Sequence, residues 1–373
     1  MTNHSDDERD IDLVLVTGAG ASHEFGASGT KVPLMGSWSD ALVTKIQRAS
    51  WSYLEATGLQ AGLEGHEFEV RLGRFLQLAQ SLPRIEQVLK PSLEFQVPAV
   101  GLVEQSLRDW HRTTTFHVGQ ITDLIHQSLY ESFSYERIDL DAAAKAYGTL
   151  LQQLGVSYAN STVYATTNYD VVGEYVIERL DGLPDWGEQN RLIIQGESPL
   201  RVERLLDGMP RYVPILHLHG RVGWYRRDDG RAYCSNTTMH SAEYGVPIVM
   251  LPDPAKAYNG DPVIAEIWTQ FEEALQRARR VFVLGHSLND PQLLQALQRN
   301  VSPPERVAVT ILAHPDNPDE LDPSGASVYQ LLGSELQSAS IIPIRFAANQ
   351  VDIRAAVATW EERLSAAVER HSA

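Results

Sequence analysis

The hydrophobic and polar positions divide the chain into two textures. In the first, short apolar runs stop at Gly, Pro, Asn or Asp. Ile11 to Val16 is such a run, made of leucine and β-branched residues. Others are STVYATTN (161–168), YVPILHLHG (212–220), VPIVML (246–251), RVFVLGHS (280–287), VAVTILA (307–313) and IIPIRF (341–346). Continuous apolar runs of this length predict strands buried on both faces, rather than strands with one wet side. Between the 246–251 and 280–287 runs lies PVIAEIWTQFEEALQRARR, apolar at three- and four-residue spacing, which predicts an amphipathic helix. PQLLQALQR predicts another, and a last helix is expected from about Val351 to Glu369. An earlier one is expected to begin near Ser37 or Ser39, where a hydroxyl can cap it. Strands alternating with helices imply an α/β fold with a mostly parallel sheet covered on both faces.

The second texture runs from about Phe68 to about Leu154. FEVRLGRFLQLAQSL, TFHVGQITDLIHQSLYESF and DAAAKAYGTLLQQLG carry helical spacing and few strand signals. This predicts a helical insertion over 61–154, splitting an α/β domain made of 11–60 and 155–373. Residues 1–10, MTNHSDDERD, are polar and acidic and are expected to be a disordered tail. They lack a basic stretch followed by an apolar one, so no signal peptide is expected. No run approaches the roughly 18 apolar residues of a membrane-spanning helix, so no membrane association is expected.

Composition narrows the chemistry. The 373 residues carry a formal net charge of −17, which argues against direct nucleic-acid binding, since that needs clustered Lys and Arg. One cysteine, Cys234, allows neither an internal disulfide nor a cysteine-rich zinc site. A cytoplasmic protein without metal is the expectation.

Four short segments then stand out, each at the carboxyl end of an expected strand. The first is GAGAS, Gly18 to Ser22. Glycines after a strand let the backbone approach a pyrophosphate closely, or they simply permit a tight turn. The spacing is not the full G-x-G-x-x-G, so both readings stand. The second is ATTNYD, with Thr167, Asn168 and Asp170. These are polar groups suited to ligand hydroxyls, or the cap of the helix that VVGEYVIERL predicts. The third is LHLHG. His217 is expected to be a satisfied core histidine, whereas His219, last before a glycine, is open to two readings, a satisfied histidine partly in the core or a general base. The fourth is GHSLND, with Gly285, His286 and Ser287, where Asn289 or Asp290 can also cap the helix that follows. A parallel sheet would bring all four segments to one edge.

The order GAGAS, TTNYD, LHG, GHSLND resembles the sirtuin-like superfamily, and within it the bacterial sirtuin-like proteins of anti-phage defence. That resemblance implies a Rossmann-like sheet that binds NAD⁺ as substrate. Gly18, Ala19, Gly20, Ala21 and Ser22 would line the phosphates. Thr167 and Asp170 would belong to the NAD⁺ site, with Asn168 and Asp170 facing the nicotinamide-side ribose. Gly285, His286 and Ser287 would lie near the adenosine half. Asn168 and His219 would be the catalytic pair. Protein-deacylating sirtuins carry two Cys-x-x-Cys zinc pairs and an acidic–Phe–Arg segment after the glycine loop. Both are missing here, so no zinc is expected. The resemblance therefore implies NAD⁺ glycohydrolysis, with deacylation or non-catalytic NAD⁺ or ADP-ribose binding as alternatives. It also implies a homo-oligomer and a HerA-type ATPase as partner.

Overall fold

The structure is a computed structural model of the chain. The structure describes residues 11–49 except 24, 59, 62–63, 67–77, 81–82, 101–153, 162–180, 184–185, 197–235 except 204, 210 and 211, 244–251, 260–300 except 287–289, 308–313 and 340–343. The tail at 1–10 and the helix expected at 351–369 lie outside them.

Seven strands form one sheet: β1 (Ile11–Thr17), β2 (Thr162–Thr166), β3 (Pro184–Asp185), β5 (Val213–His217), β9 (Ala278–Leu284), β10 (Ala308–Ala313) and β11 (Ser340–Pro343). Their order is β11-β10-β9-β1-β2-β5-β3, and every pairing is parallel. The chain leaves β1 toward β2 and later returns to β9 on the other side of β1. The two directions meet at β1 and β9, which makes that carboxyl edge the topological switch point. This is the doubly wound, Rossmann-like α/β fold expected from the alternation of strands and helices.

Alternation along each strand feeds two faces. Val14, Val16, Val163, Ala165 and Leu216 pack in one cluster under the helices α6 (Pro262–Arg277) and α7 (Pro291–Asn300). Leu13, Leu15, Tyr164, Ile215 and Phe282 pack in another under α4 (Leu140–Gln153) and α5 (Val172–Arg179). The α6 helix stops at Arg277, because Ala278 to Arg280 enter β9 and pair with β1 and β10.

A second sheet corrects the expectation for 246–251. This stretch forms β8 (Val246–Val249), which is not part of the parallel sheet. It joins β4 (Glu197–Pro199), β7 (Ala232–Ser235) and β6 (Gly220–Arg226) in an antiparallel sheet of order β4-β7-β6-β8. The run read as one strand over 212–220 is two. Leu218 and His219 form a turn, and the chain swings from one sheet into the other.

Helices cover the small sheet. Trp38, Leu42, Val43 and Ile46 of α2 (Met35–Ala49) pack with Phe68, Leu72 and Phe75 and with Ile121, Ile125 and Leu129 of α3 (Gly101–Phe133). Val222 and Tyr225 of β6 and the loop residue Tyr169 complete this cluster. Packing thus groups α2 with the helical layer and α4 with the parallel sheet, a division the linear texture did not express. The α2 helix begins at Met35, ahead of Ser37 and Ser39. The Ser37 hydroxyl donates back to the Leu34 carbonyl at 3.1 Å rather than capping. Among the described residues, no helix is long and apolar enough to cross a membrane.

Candidate functional site

The loop after β1 is locked against the loop after β9. Gly18 N–H donates to the Leu284 carbonyl at 3.0 Å and Gly20 N–H to the Gly285 carbonyl at 2.9 Å. A short helix, α1 (Gly20–His23), starts at once, so Ala21 and Ser22 donate to Gly18 and Ala19 carbonyls. The glycines make this interlock possible. A Cβ on Gly18 would lie 2.7 Å from the Gly285 carbonyl oxygen. Gly285 has φ +62°, and its Cβ would lie 2.2 Å from the Ala21 nitrogen. Gly18 is buried, while Ala19 is the exposed tip of the loop and Gly20, Gly285 and His286 are half-buried. Ser287 lies outside the described residues.

Asn168 connects this loop to β2. Its Nδ2 donates to the Gly18 carbonyl and to the Ser22 hydroxyl, each at 3.0 Å, and its backbone N–H donates to Thr166 Oγ1 at 3.0 Å. Both amide protons face acceptors, which fixes Oδ1 as the side chain's remaining acceptor. The Ser22 hydroxyl in turn donates a hydrogen bond to the Asp170 carboxylate. Asp170 is buried, and its Oδ1 accepts from Val172 N–H at 3.0 Å at the start of α5. Burial raises its pKa above the usual carboxylate range, although the Val172 and Ser22 hydrogen bonds oppose the rise. Asp170 thus sits behind Ser22 at a helix start. Thr167 is tied back to β1, its N–H donating to the Thr17 carbonyl at 3.0 Å.

His219 occupies the turn between the two sheets, and its backbone is held on several sides. Leu218 N–H donates to the Thr166 carbonyl at 2.8 Å, Trp268 Nε1 to the Leu218 carbonyl at 2.9 Å, and Met250 N–H to the His219 carbonyl at 2.7 Å. The next residue must be glycine: Gly220 has φ +75°, and a Cβ would stand 2.1 Å from the Ile248 carbonyl oxygen. His219 Nε2 pairs with Asp290 Oδ2 at 2.8 Å, and both side chains are buried. Asp290 Oδ1 accepts from Gln292 and Leu293 N–H at 3.0 and 3.2 Å, capping α7. Sequence reasoning placed Asp290 only as a cap. Its second partner lies 71 residues away, and no local pattern signals such a pair.

His217 faces away from this edge into a buried ionic cluster. Its Nε2 lies 3.0 Å from Glu174 Oε1, which Arg221 Nε also contacts at 2.5 Å. Burial alone would raise the Glu174 pKa. The His217 imidazole and the Arg221 guanidinium beside it outweigh burial and hold the carboxyl at about 2. His217 is thus a core residue held by Glu174 through Nε2, while its Nδ1 is buried without a hydrogen-bond partner among the described residues.

Fold and site together define a doubly wound α/β protein with polar side chains gathered at the carboxyl edge of its parallel sheet, where an amide and an imidazole follow the adjacent strands β2 and β5 beside the switch point. No protein-family model and no curated protein matches the chain. Among solved structures it is similar to a Sir2 homolog–NAD complex, at 14% identity over 96% of this chain and 92% of that one, with a TM-score of 0.39. It is also similar to a Sir2 point mutant with a p53 peptide and NAD, at 11% identity over 94% and 92%, with a TM-score of 0.32. A third is an ADP-ribose complex of a Sir2 homologue point mutant, at 11% identity over 96% and 93%, with a TM-score of 0.33.

Proposed function

We propose that the chain is an NAD⁺ glycohydrolase, cleaving the nicotinamide–ribose bond to give nicotinamide and ADP-ribose. The observation that carries this reading is the meeting of Asn168 with the Gly18–Ser22 loop at the switch point, beside the His219 turn. In open α/β sheets that edge is where nucleotides bind. The motif order supports NAD⁺ as the nucleotide.

The chemistry asks little of the protein. The bond that breaks joins ribose C1′ to a cationic pyridinium nitrogen. Its electron pair returns to the ring, so nicotinamide leaves neutral without an acid. Water forms the new C1′–O bond, and its proton goes to His219 acting as general base. Asn168, held at three points, uses its Oδ1 to orient a ribose hydroxyl or the attacking water. Two flanking carboxylates are not needed, because the leaving group is already charged. Asp170, turned toward Ser22 and α5, positions the loop rather than touching the sugar.

Deacylation is the second reading; the single cysteine cannot build the two Cys-x-x-Cys pairs of protein-deacylating sirtuins. We extend the reading to a cytoplasmic, homo-oligomeric enzyme of anti-phage defence with a HerA-type ATPase partner, a setting suggested by the motif resemblance. Co-purification with such an ATPase and the mass of the assembly test that extension.

The test of the activity is nicotinamide release from NAD⁺ by the purified chain, with and without the ATPase. His219→Ala and Asn168→Ala are each expected to lower turnover about 10²-fold or more, with circular dichroism at the assay temperature checking that each variant is folded although it melts lower than the parent. Parental turnover in either variant would remove that residue from the mechanism. NAD⁺ retained intact by the parent would favour a binding subunit instead.

A further inference from the structure

We infer that Asp290 is the positioning residue of His219: it fixes which imidazole nitrogen carries the proton and so makes Nδ1 the basic atom. This inference rests on the reading of His219 as general base.

Three observations carry it. The pair bridges the ends of two strands that are not neighbours in the sheet. His219 follows β5 and Asp290 follows β9, and β2 and β1 lie between those strands. At about 4.8 Å per strand, the strand ends are on the order of 14 Å apart. The two side chains nevertheless meet at 2.8 Å. The carboxylate is also immobile. Its Oδ1 is held by Gln292 and Leu293 N–H at the first turn of α7, which leaves Oδ2 aimed at the imidazole. Finally, the backbone around the histidine is held by Trp268, Met250 and the left-handed Gly220, which fixes where its ring departs from the chain.

A carboxylate bound at Oδ1 to two N–H groups can only accept at Oδ2. The proton between the residues therefore belongs to Nε2, and the lone pair is at Nδ1. When Nδ1 takes a proton from water or a ribose hydroxyl, the imidazolium forms beside a fixed negative charge. Asp290 stays ionised throughout, as the orienting acid does in the Ser-His-Asp arrangement. The helix cap and the base are then one device: the two amides that need an acceptor at α7 also hold the acid that sets the tautomer.

The discriminating variant is Asp290→Asn in the full chain. The two α7 amides still require an oxygen, so the asparagine carbonyl stays at the cap and its NH₂ faces His219. An NH₂ donates, which moves the imidazole proton to Nδ1 and blocks the base. Imidazole nitrogen NMR of ¹⁵N-histidine-labelled protein, assigned by loss of the signal in His219→Ala, is expected to show the Nε2–H form in the parent and the Nδ1–H form in Asp290→Asn. Nicotinamide release is expected to fall about 10²–10⁴-fold in kcat, with KM changed little. Asp290→Ala loses the cap as well and melts lower, so thermal melting separates a folding defect from the tautomer effect. An unchanged tautomer, or parental kcat in Asp290→Asn, overturns the inference. If the parent releases no nicotinamide under any condition, the glycohydrolase reading fails. The NMR arm then decides by itself whether Asp290 sets the proton on His219.

Discussion

Single residues at the carboxyl edge of the sheet answer to geometry before chemistry. Gly18 and Gly20 look like a phosphate loop in the sequence, and in the fold they also let two backbones interlock against Gly285. Gly285→Ala is therefore expected to destabilise far more than Gly230→Ala. Both glycines have positive φ, +62° and +79°, but a Cβ on Gly230 meets nothing within 4 Å. Only the conformational term, about 1–2 kcal/mol, applies to Gly230→Ala, while Gly285→Ala adds a backbone clash. Urea unfolding of the two variants checks this, and equal losses would mean the loops relax apart freely. His219 was legible as a candidate because it ends an apolar run before a glycine. Its acid was not, since Asp290 looks like an ordinary helix cap until the sheet brings β5 and β9 to one edge.

At the scale of elements, the strongest local signals were the most faithful. Ile11–Thr17 formed the expected strand, and Pro262–Arg277 formed the expected helix. Asp261 starts that helix. Its side chain accepts from Val263 N–H at 2.8 Å and receives both the Nε and Nη2 of Arg226 from β6. Asp261→Ala is expected to cost about 1–2 kcal/mol through the lost cap. Arg226→Ala should cost less, about 1 kcal/mol at most, because a half-exposed ion pair is screened by water. A double-mutant cycle measured by chemical denaturation separates the two terms. Additive losses would show that the ion pair contributes nothing beyond the separate roles of the two residues. The antiparallel sheet was the least legible element. β6 follows β5 after two residues, and its bulged pairing with β8 and its glycines hide any clean alternation. Strand direction is a matter of partners, and the partners of β6 lie outside its own sequence.

For the molecule as a whole, the buried ionic cluster couples stability to pH. Glu174 is held at about 2, below its ordinary 4.5, by His217 and Arg221. Its contribution is fully present above about pH 4.5 and is lost as pH falls toward 2, since the unfolded chain takes up the proton first. Asp170 has the opposite sign: its raised pKa means that its ionised form opposes folding, and acid relieves that cost. Glu174→Gln should flatten the fall of Tm between pH 5 and pH 3, roughly the span of that titration. It should also lower stability at pH 7 by about 3–5 kcal/mol, because Arg221 would stay buried without its carboxylate. A Glu174→Gln protein with the parent's pH profile would show that acid sensitivity arises elsewhere.

By itself the sequence determined the class of fold, the central strands and the residues that terminate them. Apolar runs, helical spacing and the Gly, Asn and His residues after strands are local properties, written in consecutive positions. Only the tertiary structure decided which strands pair in which direction, and that helix α2 leaves the parallel sheet for the helical layer. It also decided that Asp170 turns to Ser22 while Asp290 reaches His219. Those outcomes depend on groups brought together across long loops, where the free energy comes from shared burial and from satisfying polar atoms that one segment cannot satisfy alone.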